Sequence, residues 1–325
     1  MARSAILSAL FLCSGIAVSA SDEAAKNITT PKSETDAYVT RNYDKKIWFP
    51  SKTNATSAAG AQASRDFDYD FTLGQLQLAQ CSYCYASADD AAYVPATATV
   101  TAALESDGGR VLVGYDSSTK TIFVSFRGSE DIRNWIENIK FLKTNPYEDL
   151  PDVEVEIGFN NWYTALRDAG LSDAIAAASS KYGTMSLTIT GHSAGGSCAT
   201  LMAFDVTRNV YPGYSLNFVT TFGSPRVGNS EFYDAFGAAV SSALSTRVTH
   251  YRDMVPHLPQ TLLGYHHVHN EVYFNEDSSS YTICDGSGED GDCSDSCSPI
   301  HCTSVDDHLL YMNVPLGSDN CVAQR

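Results

Sequence analysis

Apolar and polar residues alternate over Met185-Ser-Leu-Thr-Ile-Thr190, and this period of two with its β-branched content predicts a strand. Beyond it, Ala199, Met202, Ala203 and Val206 recur at helical spacing, so Gly196 to Val210 predicts a helix. The same reading gives strands at Arg110–Tyr115 and Thr121–Phe126, joined by the turn Asp116-Ser-Ser-Thr119. Further strands are expected at Val153–Ile157, Leu216–Phe222 and Thr246–Tyr251. Helical patterns fall between them. Trp162, Ala165, Leu166, Ala169, Ile175 and Ala178 mark an amphipathic region broken near Gly170, and Asn229-Ser-Glu231 opens a helix with Phe232, Phe236 and Val240 on one face. Strand and helix in alternation predict an α/β fold, a mostly parallel sheet flanked by helices, with a site at the strand carboxyl ends.

One joint between strand and helix carries chemistry. Gly191-His-Ser-Ala-Gly195-Gly196 places Ser193 on a strand-to-helix turn, the setting of a nucleophile elbow. There Gly191 and Gly195 leave room for a strained serine, the helix N-terminus favours a developing oxyanion, and the Ala194 amide supplies one donor. An elbow serine needs a histidine to take its proton and a carboxylate to orient that histidine, in the chain order Ser, Asp/Glu, His. Asp253 follows the Thr246–Tyr251 strand and precedes the proline-bounded Met254-Val-Pro256-His-Leu-Pro259, where a site loop would begin. Asp205 rides the elbow helix pointing away, and Asp285, Glu289, Asp290 and Asp292 lie in an acidic Gly/Ser-rich loop that reads as solvated. His250, His257, His266, His267, His269, His301 and His308 all follow Ser193, and position alone does not choose among them.

Composition bounds the setting. The N-terminus has Arg3, an apolar run from Ala5 to Val18 and the small-residue pattern Val18-Ser-Ala20, which reads as a signal peptide over residues 1–20. Residues 21–65 read as a pro-segment or flexible glycosylated arm with acceptors at Asn27 and Asn54, and 66–325 as one catalytic domain. A secreted protein without a stable transmembrane association is expected. The net charge of −17 argues against a nucleic-acid partner. Nine cysteines become eight when Cys13 leaves with the signal, an even number that suits disulfides in a secreted chain. Cys81-Ser-Tyr-Cys84 reads as a local disulfide, and Cys198, behind the nucleophile, as a buried free thiol that forces one more unpaired sulfur or a cross-chain link. Disulfides are also expected within Cys284, Cys293, Cys297 and Cys302. No metal is expected: on a strand, His267 and His269 alone of the His266-His-Val-His269 cluster would share a face, with no carboxylate or thiolate at ligand spacing.

Phe126-Arg-Gly-Ser-Glu-Asp-Ile-Arg-Asn-Trp-Ile136, Gly158-Phe159, Gly191-His-Ser-Ala-Gly195, Thr221-Phe-Gly-Ser-Pro-Arg-Val-Gly-Asn229, Arg252-Asp-Met-Val-Pro-His-Leu-Pro259 and Asp307-His-Leu-Leu-Tyr311 together resemble the filamentous-fungal class 3 triacylglycerol lipases. The resemblance runs from about Phe67 to the C-terminus and implies an α/β-hydrolase. It implies Ser193 as nucleophile, Asp253 as its orienting acid, His308 as base, and Ser129 with Ala194 as the oxyanion hole. It departs in the extended cysteine-rich stretch Cys284–Cys302, so the family's disulfide pairings are not carried over.

After Ser129, Ile132, Trp135, Ile136 and Ile139 fall at i, i+3, i+4 and i+7, with Glu130, Arg133, Asn134, Glu137 and Asn138 on the other side. This amphipathic helix is expected to act as a mobile lid. The expected activity is hydrolysis of an ester at an oil–water interface through an acyl-enzyme, with no cofactor. A feruloyl or other soluble-ester esterase of the same fold is the alternative, and a non-catalytic secreted binding module a remote one.

Overall fold

Two central strands are buried from end to end. All six residues of Thr121–Phe126 and all six of Ser245–His250 are buried, as a sheet covered on both faces requires. In the computed structural model, which describes residues 67–321 except 140 and 299, these belong to one eight-stranded sheet. The expected signal peptide, the arm and both acceptors, Asn27 and Asn54, lie outside the described residues.

In chain order the elements are α1 (Tyr69–Cys84), β1 (Ala98–Ser106), β2 (Gly109–Asp116), β3 (Thr121–Phe126), α2 (Ile132–Asn138), β4 (Lys143–Thr144), β5 (Val155–Glu156), α3 (Ile157–Leu166) and α4 (Ser172–Tyr182). Then follow β6 (Ser186–His192), α5 (Ala194–Thr207), β7 (Ser215–Phe222), α6 (Ser230–Ala239), β8 (Ser245–His250), β9 (Glu271–Phe274), β10 (Tyr281–Ile283), α7 (Val305–His308), β11 (Leu310–Tyr311) and β12 (Val314–Pro315). The sheet order is β1-β2-β3-β6-β7-β8-β9-β10. Pairing is parallel from β3 through β9 and antiparallel at both edges. The mostly parallel α/β sheet read from the sequence is therefore present, and its parallel centre carries the candidate site.

A large apolar cluster joins the sheet to α3, α4, α5 and α6 through Phe159, Tyr163, Ile175, Leu201, Phe204, Phe232 and Phe236. Opposite it, Leu76 and Ala79 of α1 pack with Phe222, Val248, Phe274 and Tyr311. The helical region breaks at Gly170, where φ is 108°, as its sequence indicates. The stretch Val153–Ile157 is shorter as a strand than expected: only Val155–Glu156 pairs, because the Glu156 side chain accepts the Phe159 amide at 2.7 Å and starts α3.

Two cysteine expectations divide. Cys84 does not pair with Cys81; it bonds Cys321, 237 positions away, and Cys81 stays a buried thiol. The reason is helical geometry together with docking: both cysteines lie on α1, and Gln80 of the same helix holds the C-terminal segment by accepting from the Gly317 amide (3.0 Å) and donating to the Asn320 carbonyl (2.9 Å). Cys198 is buried and free, with its thiol pushed up to about 12 chiefly by burial, so Cys81 is the second unpaired sulfur. Cys284 bonds Cys293, and Cys297 bonds Cys302.

Candidate active site

The register that sets Phe126 opposite Gly191 and His192 opposite Phe222 brings the carboxyl ends of β3, β6 and β7 to one edge of the sheet. There the chain reverses sharply. Ser193 has φ 59° and ψ −136°, a backbone that residues with a Cβ adopt only under strain, and α5 begins at the next residue. The turn closes on glycine: a Cβ at Gly195 would lie 2.7 Å from the Arg127 backbone, and one at Gly191 would strike the Gly195 carbonyl. The Ser193 amide donates to Phe222 O at 2.9 Å, which pins the turn to β7.

Asp253 leaves the end of β8, and α7, capped by Ser304 at the Asp307 amide (2.9 Å), delivers His308 to it. His308 Nδ1 lies 2.8 and 3.0 Å from the two Asp253 oxygens. A carboxylate only accepts, so Nδ1 carries the imidazole proton and Nε2 presents its lone pair. Asp253 also accepts the Val255 amide at 2.8 Å and the Tyr311 hydroxyl. Ser193, Asp253 and His308 are 1%, 2% and 0% exposed, so the aspartate charge is held by fixed donors instead of water. Ser193 Oγ and His308 Nε2 are both buried without a hydrogen-bond partner. The turn that carries His308 is tied to the Asp253 loop by Ser304 N donating to Arg252 O (3.1 Å) and Met254 N to Ser304 O (3.3 Å).

The loop after β3 reaches the elbow. A Cβ on Gly128 would lie 2.8 Å from Ser193 Cβ and 2.7 Å from the His192 carbonyl, so Ser129 follows directly on a contact with the nucleophile turn. Its hydroxyl donates to Asp131 O at 3.1 Å. Ala194, the other expected oxyanion residue, is buried at the first position of α5. Beyond Ser129, α2 turns its stripe inward. Ile132 is buried, Trp135 stacks on Phe159 with centroids 6.0 Å apart, Ile139 packs on the large core cluster, and Ile136 is half-buried. Arg133, Asn134 and Glu137 face outward, and Arg133 pairs with Asp306 at 3.8 Å.

Four of the rival histidines are held by other partners. The His250 ring bonds the carbonyls of Asp307 (3.0 Å) and Glu276 (3.1 Å), His267 Nε2 meets Pro256 O at 2.6 Å, and His301 Nδ1 meets Ser298 Oγ at 2.9 Å. His257 is buried, and burial with the nearby Arg226 lowers its pKa. Residues 266–269 are not the strand expected of them, because the His266 ring bonds back to His267 O (2.8 Å) and the His266 amide to Gly228 O (2.8 Å). The acidic loop is also not simply solvated. Glu289 accepts two bonds from Arg226 (2.8 and 2.6 Å) and the His267 amide (2.9 Å), and Asp290 is buried, accepting the amides of Asp285 (2.8 Å) and Asp292 (2.9 Å). Cys284 and Cys293 do approach Glu271, but as a disulfide they offer no thiolate to a metal.

Three site residues escaped the sequence. Tyr311 stands three positions after His308, a spacing that brings both to Asp253. Tyr83 hides inside the Cys-x-x-Cys stretch, and His192 is the variable position of the elbow motif. Tyr83 Oη lies 2.8 Å from His192 Nδ1, and His192 Nε2 lies 2.8 Å from the His308 carbonyl.

Parallel strands, a strained serine elbow and a buried Asp–His pair at one sheet edge define an α/β-hydrolase. The family model "Lipase (class 3)" matches residues 123–263, a stretch that holds the elbow and Asp253 and stops before His308. The chain is 34% identical over 209 residues to the lipase of Rhizomucor miehei, covering 63% of this chain and 56% of that one. It is 35% identical over 181 residues to secreted mono- and diacylglycerol lipase 1 of Fusarium solani, covering 54% and 52%. A solved structure described as a triacylglycerol lipase whose catalytic centre is a serine protease triad superposes with a TM-score of 0.67 at 28% identity, over 77% of this chain and 96% of that one. The chain spans about half the length of the curated relatives it matches. Over residues 123–263 the chain resembles the class 3 lipase family, and its fold is that of the lipases it superposes on.

Proposed function

We propose that the protein is a secreted lipase that hydrolyses acylglycerol esters through an acyl-enzyme on Ser193. The observation that carries the reading is the buried Asp253–His308 pair, with His308 Nε2 left unpartnered, together with the buried, unpartnered Ser193 Oγ on the turn after β6. His308 Nε2 takes the Ser193 proton as the alkoxide attacks the ester carbonyl. Ser129 and the Ala194 amide receive the oxyanion at the N-terminus of α5, where the helix dipole favours negative charge. His308 then returns the proton to the departing alcohol, and water releases the acid by the same steps.

The inward apolar stripe of α2 supports an acylglycerol over a dissolved ester. An apolar aggregate would accept Ile132, Trp135, Ile136 and Ile139 when the helix rolls outward, and open the pocket. Leu142 and Leu262, 61% and 92% exposed, add apolar surface on two segments joined by Lys143 Nζ donating to Gly264 O at 3.1 Å. Among the described residues no helix is long and apolar enough to cross a membrane. The apolar leader and the small-residue site at Ala20 support export.

A hydrolysis series with emulsified triglyceride, soluble short-chain esters and methyl ferulate tests the reading. Emulsified triglyceride should be preferred, Ser193→Ala and His308→Ala should lose activity by about 10⁴-fold or more while folding normally, and His257→Ala should lose far less. Preference for methyl ferulate would move the protein to the esterase reading. A loss at His257 equal to that at His308 would reassign the base.

A further inference from the structure

A line of hydrogen bonds runs beneath Ser193 outside the Ser193–Asp253–His308 set. The Gly128 amide points at Tyr83 Oη (3.1 Å), Tyr83 Oη meets His192 Nδ1 (2.8 Å), and His192 Nε2 meets the carbonyl of His308 (2.8 Å). Tyr83 and His192 are 5% and 1% exposed, and the His192 ring lies 4.5 Å from that of His308.

The polarity of the line is fixed at its ends. A carbonyl oxygen only accepts, so His192 Nε2 carries the proton. Burial, reinforced by the nearby His308, holds the His192 pKa well below 6.5, so the ring is neutral and Nδ1 is an acceptor. Tyr83 must then donate to Nδ1, and its oxygen is left to accept the Gly128 amide. Every bond points one way, from the loop of Ser129 to the backbone of His308. A neutral ring at that place adds no charge beside His308 when His308 takes up the serine proton.

We infer that Tyr83 and His192 are positioning residues for ester hydrolysis, one line holding the oxyanion loop and the base in register across the nucleophile. This rests on the assignment of Ser193 and His308 above. Oxyanion donors and base must both sit within about 0.5 Å of their productive places, yet one follows β3 and the other ends α7, far apart in the chain. Side-chain packing alone would locate each against its own neighbours. The Tyr83–His192 line locates them against each other. Losing a link leaves a buried donor or acceptor unpaired at both ends.

The test uses the full chain with Tyr83→Phe, His192→Gln, His192→Phe and the double Tyr83→Phe/His192→Phe. Competent sites are counted with a fluorogenic phosphonate ester, so misfolded protein drops out, and kcat and KM are measured on a dissolved short-chain ester. Tyr83→Phe should lower kcat per titrated site by about 10-fold or more and leave KM within about 2-fold, because both ends of the line act in the transition state. His192→Gln, which can donate to His308 O and accept from Tyr83, should retain more activity than His192→Phe. The double variant should be no worse than the poorer single one, since the line can be broken only once. In the unmodified protein, ¹⁵N-imidazole NMR should show His192 with Nε2 protonated and Nδ1 bare between about pH 5 and 8. An unchanged kcat per site in Tyr83→Phe, losses that multiply, a loss carried by KM, or an Nδ1–H tautomer overturns the inference. Ser193→Ala separates the two levels: hydrolysis surviving in it would overturn the assignment of the nucleophile, whereas a dead Ser193→Ala beside an unaffected Tyr83→Phe removes the positioning role alone.

Discussion

Trp135→Asp is the substitution that weighs most on the lid reading. In the closed position the indole is half-buried and stacks on Phe159 at 6.0 Å with 26° between the rings. Half the burial of a large apolar side chain is worth about 1 kcal/mol, and an aromatic pair adds about 0.5–1.5 kcal/mol. Removing both should shift the closed–open balance of α2 toward open by about 1.5–2.5 kcal/mol, or roughly 10- to 70-fold. In water this favours entry of a dissolved ester, so hydrolysis of a soluble short-chain substrate should be kept or raised. At an oil droplet the sign reverses, because the open helix must place position 135 against lipid and a carboxylate resists that transfer. The assay follows initial rate through the concentration at which a short triglyceride passes from solution to emulsion. The unmodified protein should accelerate at that point, and Trp135→Asp should show little acceleration above an undiminished soluble rate. Equal losses on both substrates would mean that Trp135 is fixed core packing and that α2 does not open. A smooth profile in the unmodified protein would refute the lid outright.

Two further outcomes follow from named contacts. Tyr311→Phe removes one donor from the buried Asp253 carboxylate while its ring still packs on Phe222, so activity should fall by about 10-fold with little change in Tm, and a fall below 2-fold would show that Val255 and His308 alone hold the charge. Burial lowers the pKa of His267 well below 6.5, so the unfolded chain binds a proton there that the native one refuses, and stability is complete above pH 6.5 and declines as pH falls beneath it. Thermal unfolding at pH 6.5 and 5.5 should show a lower Tm at the acid point, and His267→Gln should shrink that difference; an equal difference in the variant would count against it.

The parts of the fold legible in the sequence are those where local pattern and burial agree. The strand Thr121–Phe126 was found to the residue, because a strand buried on both faces is an unbroken run of β-branched and aromatic side chains. β1 was missed, because Ala-Thr-Val-Thr-Ala-Ala-Leu-Glu-Ser is an edge strand of small, half-exposed residues with little contrast between its faces. The elbow is legible because the Gly-x-Ser-x-Gly spacing stands between a clear strand pattern and a clear helix pattern, with Gly191 packed against the backbone of Gly195 in the same motif. The partners of Glu289 and Cys84 are not legible in the sequence, since Arg226 and Cys321 become their neighbours only once the domain has closed. The Asp253–His308 pairing came from family resemblance: among seven histidines, spacing says nothing about which one the last short helix carries back to β8. Tyr83 and His192 were invisible for a related reason, their roles being defined by a contact between the first helix and the elbow.

The Cys84–Cys321 bond has a mechanical consequence. It closes a covalent ring over 237 positions, with the sheet, the elbow and α7 all inside it. Tension applied at the two ends of that ring runs through the sulfur bridge and bypasses the strands. At about 3.5 Å per residue, roughly 800 Å of chain is hidden from a pulling force until the bridge is reduced. The site is thereby shielded from strain arriving along the chain, whether from an attached surface or from a neighbouring segment, and a reductant turns the same chain from an inextensible link into one that unravels under load.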